Sequence, residues 1–315
     1  MEAVDIDERV IADRDERTLK MLLIDKTTGG YLHWATDAYA SLGPQYQPEC
    51  EMDPDFVRGF GFDVIRPRVT KGEEERRHRT RDKAEVFTPA WVCNAQNNQV
   101  DAAWFGRDPS FNEEVECGWT TNVAPIAFDD SHTWRDYVDK RVLEITCGEA
   151  PYITTRYDAT TGRAIPFIER VGLLDRKLRV VCENVESCAE WMKWARRAVE
   201  ASYAYDFQGD NVLIARENVL AAVEDAHYHQ FGESMPVSEA RKLANVIAWN
   251  VWQMDGYTYT VPYAERPAAW RQLTLFDNSR EEEKEPIPCL VKDWRECTGG
   301  GRPVEFRTLV RGRTP

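Results

Sequence analysis

The sequence lacks the features that mark several large classes of protein. Its 315 residues contain no run of about 18 apolar residues, so no membrane-spanning helix is expected. Its eight cysteines form no C-x-x-C pair and are not spaced from the five histidines as zinc ligands are, which favours reduced thiols and no metal site. The first residues, MEAVDIDERVIADRDER, contain no apolar core like that of a signal peptide, and we expect a cytoplasmic protein.

The sequence also has fewer basic than acidic residues. The chain has 54 acidic and 40 basic residues and a formal net charge of −14, which argues against a free-standing, non-specific nucleic-acid binder. Residues 66–83 hold the one basic concentration, eight Lys and Arg against four acidic residues. That stretch predicts either a solvated charged helix or a local phosphate-contacting surface. Contact with DNA is therefore expected only through a local patch or a partner.

The composition predicts a globular chain, because 43% of the residues are hydrophobic and eleven are Trp. We divide it into an N-terminal extension (1–84), a cofactor-binding domain (85–265) and a tail with an acidic loop and two short strands (266–315). In the extension, a helix within 5–20 and a hairpin-type turn at Thr28-Gly29-Gly30 predict a small α+β unit. Residues 158–178 are predicted to be rich in turns.

Three predicted strands each end in a small or acidic residue. The run 142–145 stops at Cys147-Gly148 before a possible helix, 202–205 ends at Asp206, and 250–254 ends at Asp255. Helical patterns over 186–202, 211–223 and 238–247 alternate with them, which predicts a doubly wound parallel α/β sheet. The carboxyl ends of such strands lie side by side, so Gly148, Asp206 and Asp255 are expected to face one nucleoside. A purely structural turn at Gly148 is the alternative.

A further helix start is predicted upstream of these strands. Thr88 would act as N-cap and Pro89 as the first helical residue, with Trp91, Val92 and Ala95 on one face. The free amides at such a helix start suit a carboxylate ligand.

Four stretches resemble, in order, motifs of the DNA N6-adenine methyltransferases of the amino-terminal-cofactor class. Residues 142–150, VLEITCGEA, resemble V-L-D-P-(S/A)-C-G-x-G, and 85–89, EVFTP, is similar to F-x-T-P. Tyr205-Asp206 and the sequence AREN at 215–218 resemble the acidic ribose motif and its A-x-x-N helix, and 250–255, NVWQMD, is similar to N-I-x-x-G-D. The whole chain also resembles proteins called restriction endonuclease subunit M.

This resemblance implies a Rossmann-like S-adenosylmethionine-dependent methyltransferase fold with an incomplete sheet. S-adenosylmethionine would be the cofactor and DNA the substrate. The cofactor-binding residues that the resemblance implies are Phe87, Thr88, Pro89, Glu144, Thr146, Gly148, Asp206 and Asp255.

The departures from the family's pattern limit the expected activity. Glu144 stands where the family has Asp, and Ala150 stands at its second Gly. The catalytic tetrapeptide (D/N/S)-P-P-(Y/F/W), whose aromatic ring stacks on the flipped adenine, is absent, and the chain has no Pro-Pro. The nearest stand-ins are Asp293 and Trp294, for which a surface turn is the alternative. Only sixty residues follow Asp255, so a partner is expected to supply the missing half, unless the chain binds without methylating.

These features favour one function, leave one alternative and disfavour a third. The first is the cofactor-binding subunit of an adenine-specific DNA methyltransferase in a restriction-modification type system. The alternative is a non-catalytic methyltransferase-like module that senses cofactor or scaffolds a DNA complex. A nuclease is disfavoured, because Glu282 and Lys284 lie in a low-complexity acidic run without a Pro-Asp strand before them.

One short match indicates a second partner. Residues Gln272, Leu273, Thr274, Leu275 and Phe276 resemble the Q-L-(S/D)-L-F peptide by which bacterial DNA enzymes dock on the replication sliding clamp. Leu and Phe anchors inserted into a groove are typical of such peptides. The alternative is a helix edge that packs Leu273 and Phe276 on the domain.

Overall fold

The computed structural model describes residues 4–59, 63–73, 81, 88–107, 111–130, 132–267, 284–295 and 300–310. The α-helices in these ranges are α1 (Glu8–Leu23), α2 (Pro54–Val57), α3 (Ala90–Phe105), α4 (Trp134–Asp139), α5 (Leu173–Asn184), α6 (Cys188–Glu200), α7 (Gly209–Phe231), α8 (Val237–Asn250) and α9 (Phe306–Val310). The strands are β1 (Asn112–Val115), β2 (Gly118–Thr121), β3 (Val142–Ile145), β4 (Ser202–Asp206), β5 (Val251–Gln253), β6 (Thr260–Pro267), β7 (Lys284–Pro288), β8 (Leu290–Asp293) and β9 (Arg302–Glu305).

The central sheet is parallel, with strand order β3-β4-β5. Val142 lies opposite Ser202, and Ala204 lies opposite Val251. Two helices follow β3 before β4, and two more follow β4 before β5. The predicted alternation of strands and helices is therefore confirmed at the level of an α/β architecture, and the three strand ends meet at one edge of the sheet.

Helix α7 is the centre of the core. Its residues are buried on almost every side, because apolar side chains occur all around the helix rather than on one stripe. It packs against α5, α8, β4 and β5. The buried leucines of α1 belong to the same hydrophobic cluster, so the N-terminal residues share their core with the sheet domain.

Two local predictions downstream of β3 were wrong. The possible helix after Gly148 does not form, since the chain makes successive turns there and Ala150 has a φ of +61°. Residues 173–178, the last part of the stretch predicted to be rich in turns, form the first half of α5 instead. Asp175 and Arg176 suggested a turn, but both are buried in this helix and bonded to distant groups, Asp175 to the backbone N–H of Thr155 and Arg176 to Asp101.

Helix α3 also differs from its prediction. Pro89 is its N-cap residue, so the helix begins one residue later than expected. Trp91 is 40% exposed rather than packed. The buried face is polar instead and carries Asn94, Asn98 and Asp101.

The two ends of the described chain contain smaller corrections. Of the hairpin predicted near Gly29, the structure contains one antiparallel bridge, between Ile24 and Tyr31. Residues 21–23 belong to α1. The second of the two short strands predicted in the tail, over residues 304–310, ends at Glu305, and the chain continues as α9. None of the described helices has the length and apolar character that a bilayer crossing requires.

Candidate functional site

A cavity of about 1130 Å³ opens where β3 and β4 end. It brings together three stretches that are far apart in the sequence. The predicted cofactor-binding residues in its wall are Thr88, Glu144, Thr146, Gly148 and Asp206.

Asp206 connects two of these stretches. One of its carboxylate oxygens, Oδ2, accepts a hydrogen bond from the backbone N–H of Gly148 at 2.9 Å, and Oδ1 accepts one from Gln208 N–H at 2.9 Å. The side-chain amide of Asn211 lies 3.4 Å from Oδ1. Burial raises the pKa of Asp206, and the hydrogen bonds from Gln208 and Gly148 act against that rise. Gly148 has a φ of +54°, a conformation that favours glycine.

Glu144 shapes the turn that follows β3. Its two carboxyl oxygens accept hydrogen bonds from the backbone N–H groups of Tyr152 at 3.3 Å and Ile153 at 3.0 Å. Burial raises its pKa to about 8, against the lowering effect of these bonds. The carboxyl group that the family resemblance assigned to the cofactor thus also holds the wall of the cavity.

Backbone strain is concentrated at this cavity. Ala35, Thr146 and Tyr263 line it and have φ values of +60°, +46° and +57°. Such conformations are costly for residues other than glycine and cluster at binding sites, where the surrounding structure maintains them. The sequence contains no signal for this strain.

The N-terminal extension supplies a wall of the cavity that sequence reasoning missed. Residues 35–37 and Pro48 line it. The extension is held there by Gln253 of β5, whose Oε1 accepts the His33 N–H at 2.8 Å. Gln253 Nε2 donates at 2.8 Å each to the carbonyls of His33 and Phe207. The buried amide links three segments across the strand ends.

Asn218 belongs to the AREN sequence of α7 that resembles the A-x-x-N motif. It lies outside the described wall of the cavity and bonds to the turn after β3. Its side-chain amide donates to the carbonyl of Glu149 at 3.1 Å. Its Oδ1 accepts a hydrogen bond from Arg156 at 3.2 Å. This asparagine therefore anchors the turn after β3 to α7.

Two other predicted cofactor residues lie beside the cavity rather than in its described wall. Pro89 is the N-cap residue of α3, and the first helical amide, that of Ala90, donates to Asp158 at 2.7 Å. A carboxylate does sit at this helix start, but it comes from the chain itself. Asp255 accepts hydrogen bonds from the N–H groups of Tyr257 at 2.8 Å and Thr258 at 3.3 Å, and so shapes the turn that carries Tyr257 to the wall. Its contact with adenine stays a prediction.

The catalytic stand-ins, Asp293 and Trp294, are not in the described wall of the cavity. Asp293 lies 3.4 Å from Arg141 and lines a separate groove of about 290 Å³. Trp294 is buried, donates to Asn250 Oδ1 at 2.7 Å and has Lys292 Nζ 4.5 Å from its ring centre. Its ring is therefore part of the packing rather than an open stacking surface. Phe87 and the clamp-like residues Gln272, Leu273, Leu275 and Phe276 lie outside the described residues.

No family model, curated protein or solved structure matches this chain. Inferences about its function therefore depend on the cavity and the residues that line it.

Proposed function

We propose that this protein is the S-adenosylmethionine-binding subunit of an adenine-specific DNA methyltransferase of a restriction-modification type system. One observation carries the proposal: five residues chosen from methyltransferase-like motifs, spread over residues 88 to 206, line a single cavity. The cavity opens at the carboxyl ends of parallel strands, where α/β sheets bind nucleotides.

The lining chemistry fits the cofactor. Both oxygens of Asp206 accept hydrogen bonds from the backbone, and Oδ2, which accepts only from Gly148, keeps a lone pair that suits a ribose hydroxyl. Thr88 and Thr146 belong to the same wall, and hydroxyl side chains suit the charged methionine end. The bound cofactor would supply a sulfonium methyl group, and the chain's contribution would be orientation.

A partner polypeptide completes the proposed enzyme. The chain carries no catalytic Pro-Pro tetrapeptide. Its nearest aromatic stand-in, Trp294, is buried away from the described wall of the cavity. The net charge of −14 likewise favours DNA contact through a partner.

Calorimetry tests cofactor binding. S-adenosylmethionine should bind the purified chain, and Asp206→Asn should weaken binding at least about tenfold through loss of a charge-assisted contact. Thr88→Val removes a hydroxyl alone and should weaken binding less. Asp293→Asn, outside the described wall, is the matched control. Absence of binding heat at millimolar cofactor would overturn the proposal.

Methyl transfer tests the need for a partner. The purified chain should incorporate labelled methyl groups into DNA only at background level. Robust turnover by the chain alone would contradict the requirement for a second polypeptide.

The buried position of Trp294 also favours a second candidate, a non-catalytic module that senses cofactor or scaffolds a DNA complex. Co-purification of the native complex separates the two functions. A complex that binds cofactor but never methylates its DNA would favour the sensor.

A further inference from the structure

The cavity extends beyond the residues assigned to the cofactor. Its volume, about 1130 Å³, exceeds the range of about 300 to 1,000 Å³ found for sites that hold one ligand of drug size. The assigned residues in its wall come from β3, from the end of β4 and from the start of α3. The part of the wall that follows β5 has no assigned ligand.

Two tyrosines dominate this unassigned part. Tyr257 is 98% exposed and Tyr263 is 54% exposed, and both line the cavity. They follow β5, which lies two strands away from β3, a distance of roughly 10 Å. Exposed aromatic rings are the side chains on which proteins that bind single strands stack nucleobases.

The backbone presents Tyr263 in a constrained way. It has a φ of +57°, and the pairing of β6 with β7 changes register between Thr260 and Glu265. Irregularities of this kind re-aim a side chain out of a strand. The ring centre of Tyr263 lies 6.3 Å from that of His33, so the tyrosine stands beside the N-terminal wall.

The same wall contains a buried polar atom without a partner. Thr36 is 7% exposed and lines the cavity, and its Oγ1 makes no hydrogen bond within the described part of the chain. Buried polar atoms are almost always paired, so an unpaired hydroxyl on a residue of the cavity wall is a candidate for contact with a ligand. Its neighbour Ala35 has a φ of +60°, a strained conformation that presents Thr36 at this place.

We propose that the Tyr257–Tyr263 surface, defined by these two rings and the Thr36 hydroxyl, binds one unpaired nucleobase of a DNA strand next to the cofactor. The base stacks on the tyrosines, and its polar edge bonds to Thr36 Oγ1. This site rests on the proposed function, in which the β3 side of the cavity holds the cofactor. It assigns the aromatic role of the missing tetrapeptide to a different part of the fold.

Fluorescence of 2-aminopurine reports this stacking directly. The probe is a single-stranded DNA 12-mer with one 2-aminopurine, titrated with the full chain in saturating S-adenosylhomocysteine. The parent protein should quench the probe with saturation. Combined Tyr257→Ala and Tyr263→Ala should raise the protein concentration at half-maximal quenching at least about tenfold, because stacking of a base on aromatic rings contributes strongly to binding. Thr36→Val should raise it by a smaller factor.

A matched variant controls for general effects. Tyr228→Ala removes an exposed tyrosine outside the described wall of the cavity and should leave the titration unchanged. Tyr257 is almost fully exposed, so Tyr257→Ala alone keeps the test valid if the double variant is unstable.

Two results would overturn the site. One is equal quenching by the parent and the tyrosine variants. The other is loss of quenching when S-adenosylhomocysteine saturates the protein, because one ligand would then fill the whole cavity. Calorimetry with S-adenosylhomocysteine separates this result from failure of the cofactor proposal: tyrosine-dependent quenching without cofactor binding would support the base site and refute the methyltransferase function.

Discussion

The backbone N–H of Gly148 donates a hydrogen bond to the buried carboxylate of Asp206 across 2.9 Å. The bond joins the turn after β3 to the end of β4, 58 residues further along the chain. The glycine and the aspartate, predicted separately as ligand contacts, thus also form one structural unit. Changes at Asp206 are expected to alter stability as well as binding.

Replacement of Asp206 by Asn tests this unit. The carboxylate receives backbone N–H groups on both oxygens, whereas an amide would present a donor to one of them. We expect the free energy of unfolding to fall by about 1 to 3 kcal/mol. Urea denaturation measures the change, and Asp293→Asn should leave stability within about 0.5 kcal/mol of the parent.

Stability should depend on pH through Glu144. Its pKa rises from 4.5 to about 8 on folding, mainly through burial, so the folded state holds a proton that the unfolded chain releases. The free energy of unfolding should therefore decline as pH rises from about 4.5 to about 8. Glu8, with a pKa also raised to about 8, adds to the decline.

Glu144→Gln isolates that contribution. The variant should lose part of the decline when urea denaturation is compared at several pH values between 5 and 8.5. An unchanged slope in the variant would show that Glu144 is not protonated in the folded protein.

The buried Arg176–Asp101 pair should be important for stability. Arg176 lies 2.6 Å from Asp101 and also donates to Asn94 and Asn98, each at 2.8 Å. Removing the guanidinium leaves a buried carboxylate with fewer partners, so Arg176→Ala should cost about 3 to 5 kcal/mol. Arg196→Ala, which breaks an exposed pair with Glu200, should cost no more than about 0.5 kcal/mol. Similar losses in the two variants would contradict this difference.

Gly209 should be needed for the close packing of the N-terminal extension against the start of α7. A Cβ there would collide with the carbonyl oxygen of His33 and lie 2.5 Å from Met52 Sδ. Gly209→Ala should therefore destabilise the protein by about 1 to 3 kcal/mol through overpacking. Gly72, where a Cβ would meet nothing within 4 Å, provides the control substitution Gly72→Ala. Thermal unfolding compares the two, and equal midpoints would refute the contact.

The clamp-like peptide makes a separate prediction. A pull-down with sliding clamp should retain the parent chain, and combined Leu275→Ala and Phe276→Ala should abolish retention by removing both apolar anchors. Glu281→Ala with Glu282→Ala controls for the acidic run beside the peptide. Equal retention of all three proteins would end the proposal of a clamp partner.

Sequence reasoning was most accurate for the parallel strands. The strands ending near Gly148, Asp206 and Asp255 were located because runs of apolar residues stop at flexible or acidic residues. The turn assigned to Asp175 and Arg176 was wrong because charged residues are usually exposed, and only their distant partners make burial in α5 possible.

By itself the sequence determined the order of strands and helices around the carboxyl ends of the sheet, since periodicity and turn residues act over a few neighbouring positions. Only the tertiary structure decided that Thr36 and Tyr263 share a cavity with Thr88 and Asp206. It also decided that the polar face of α3 is buried, because Asp101 meets Arg176 from 75 residues away. Local patterns carry no information about contacts between such distant residues, which depend on how the completed elements pack.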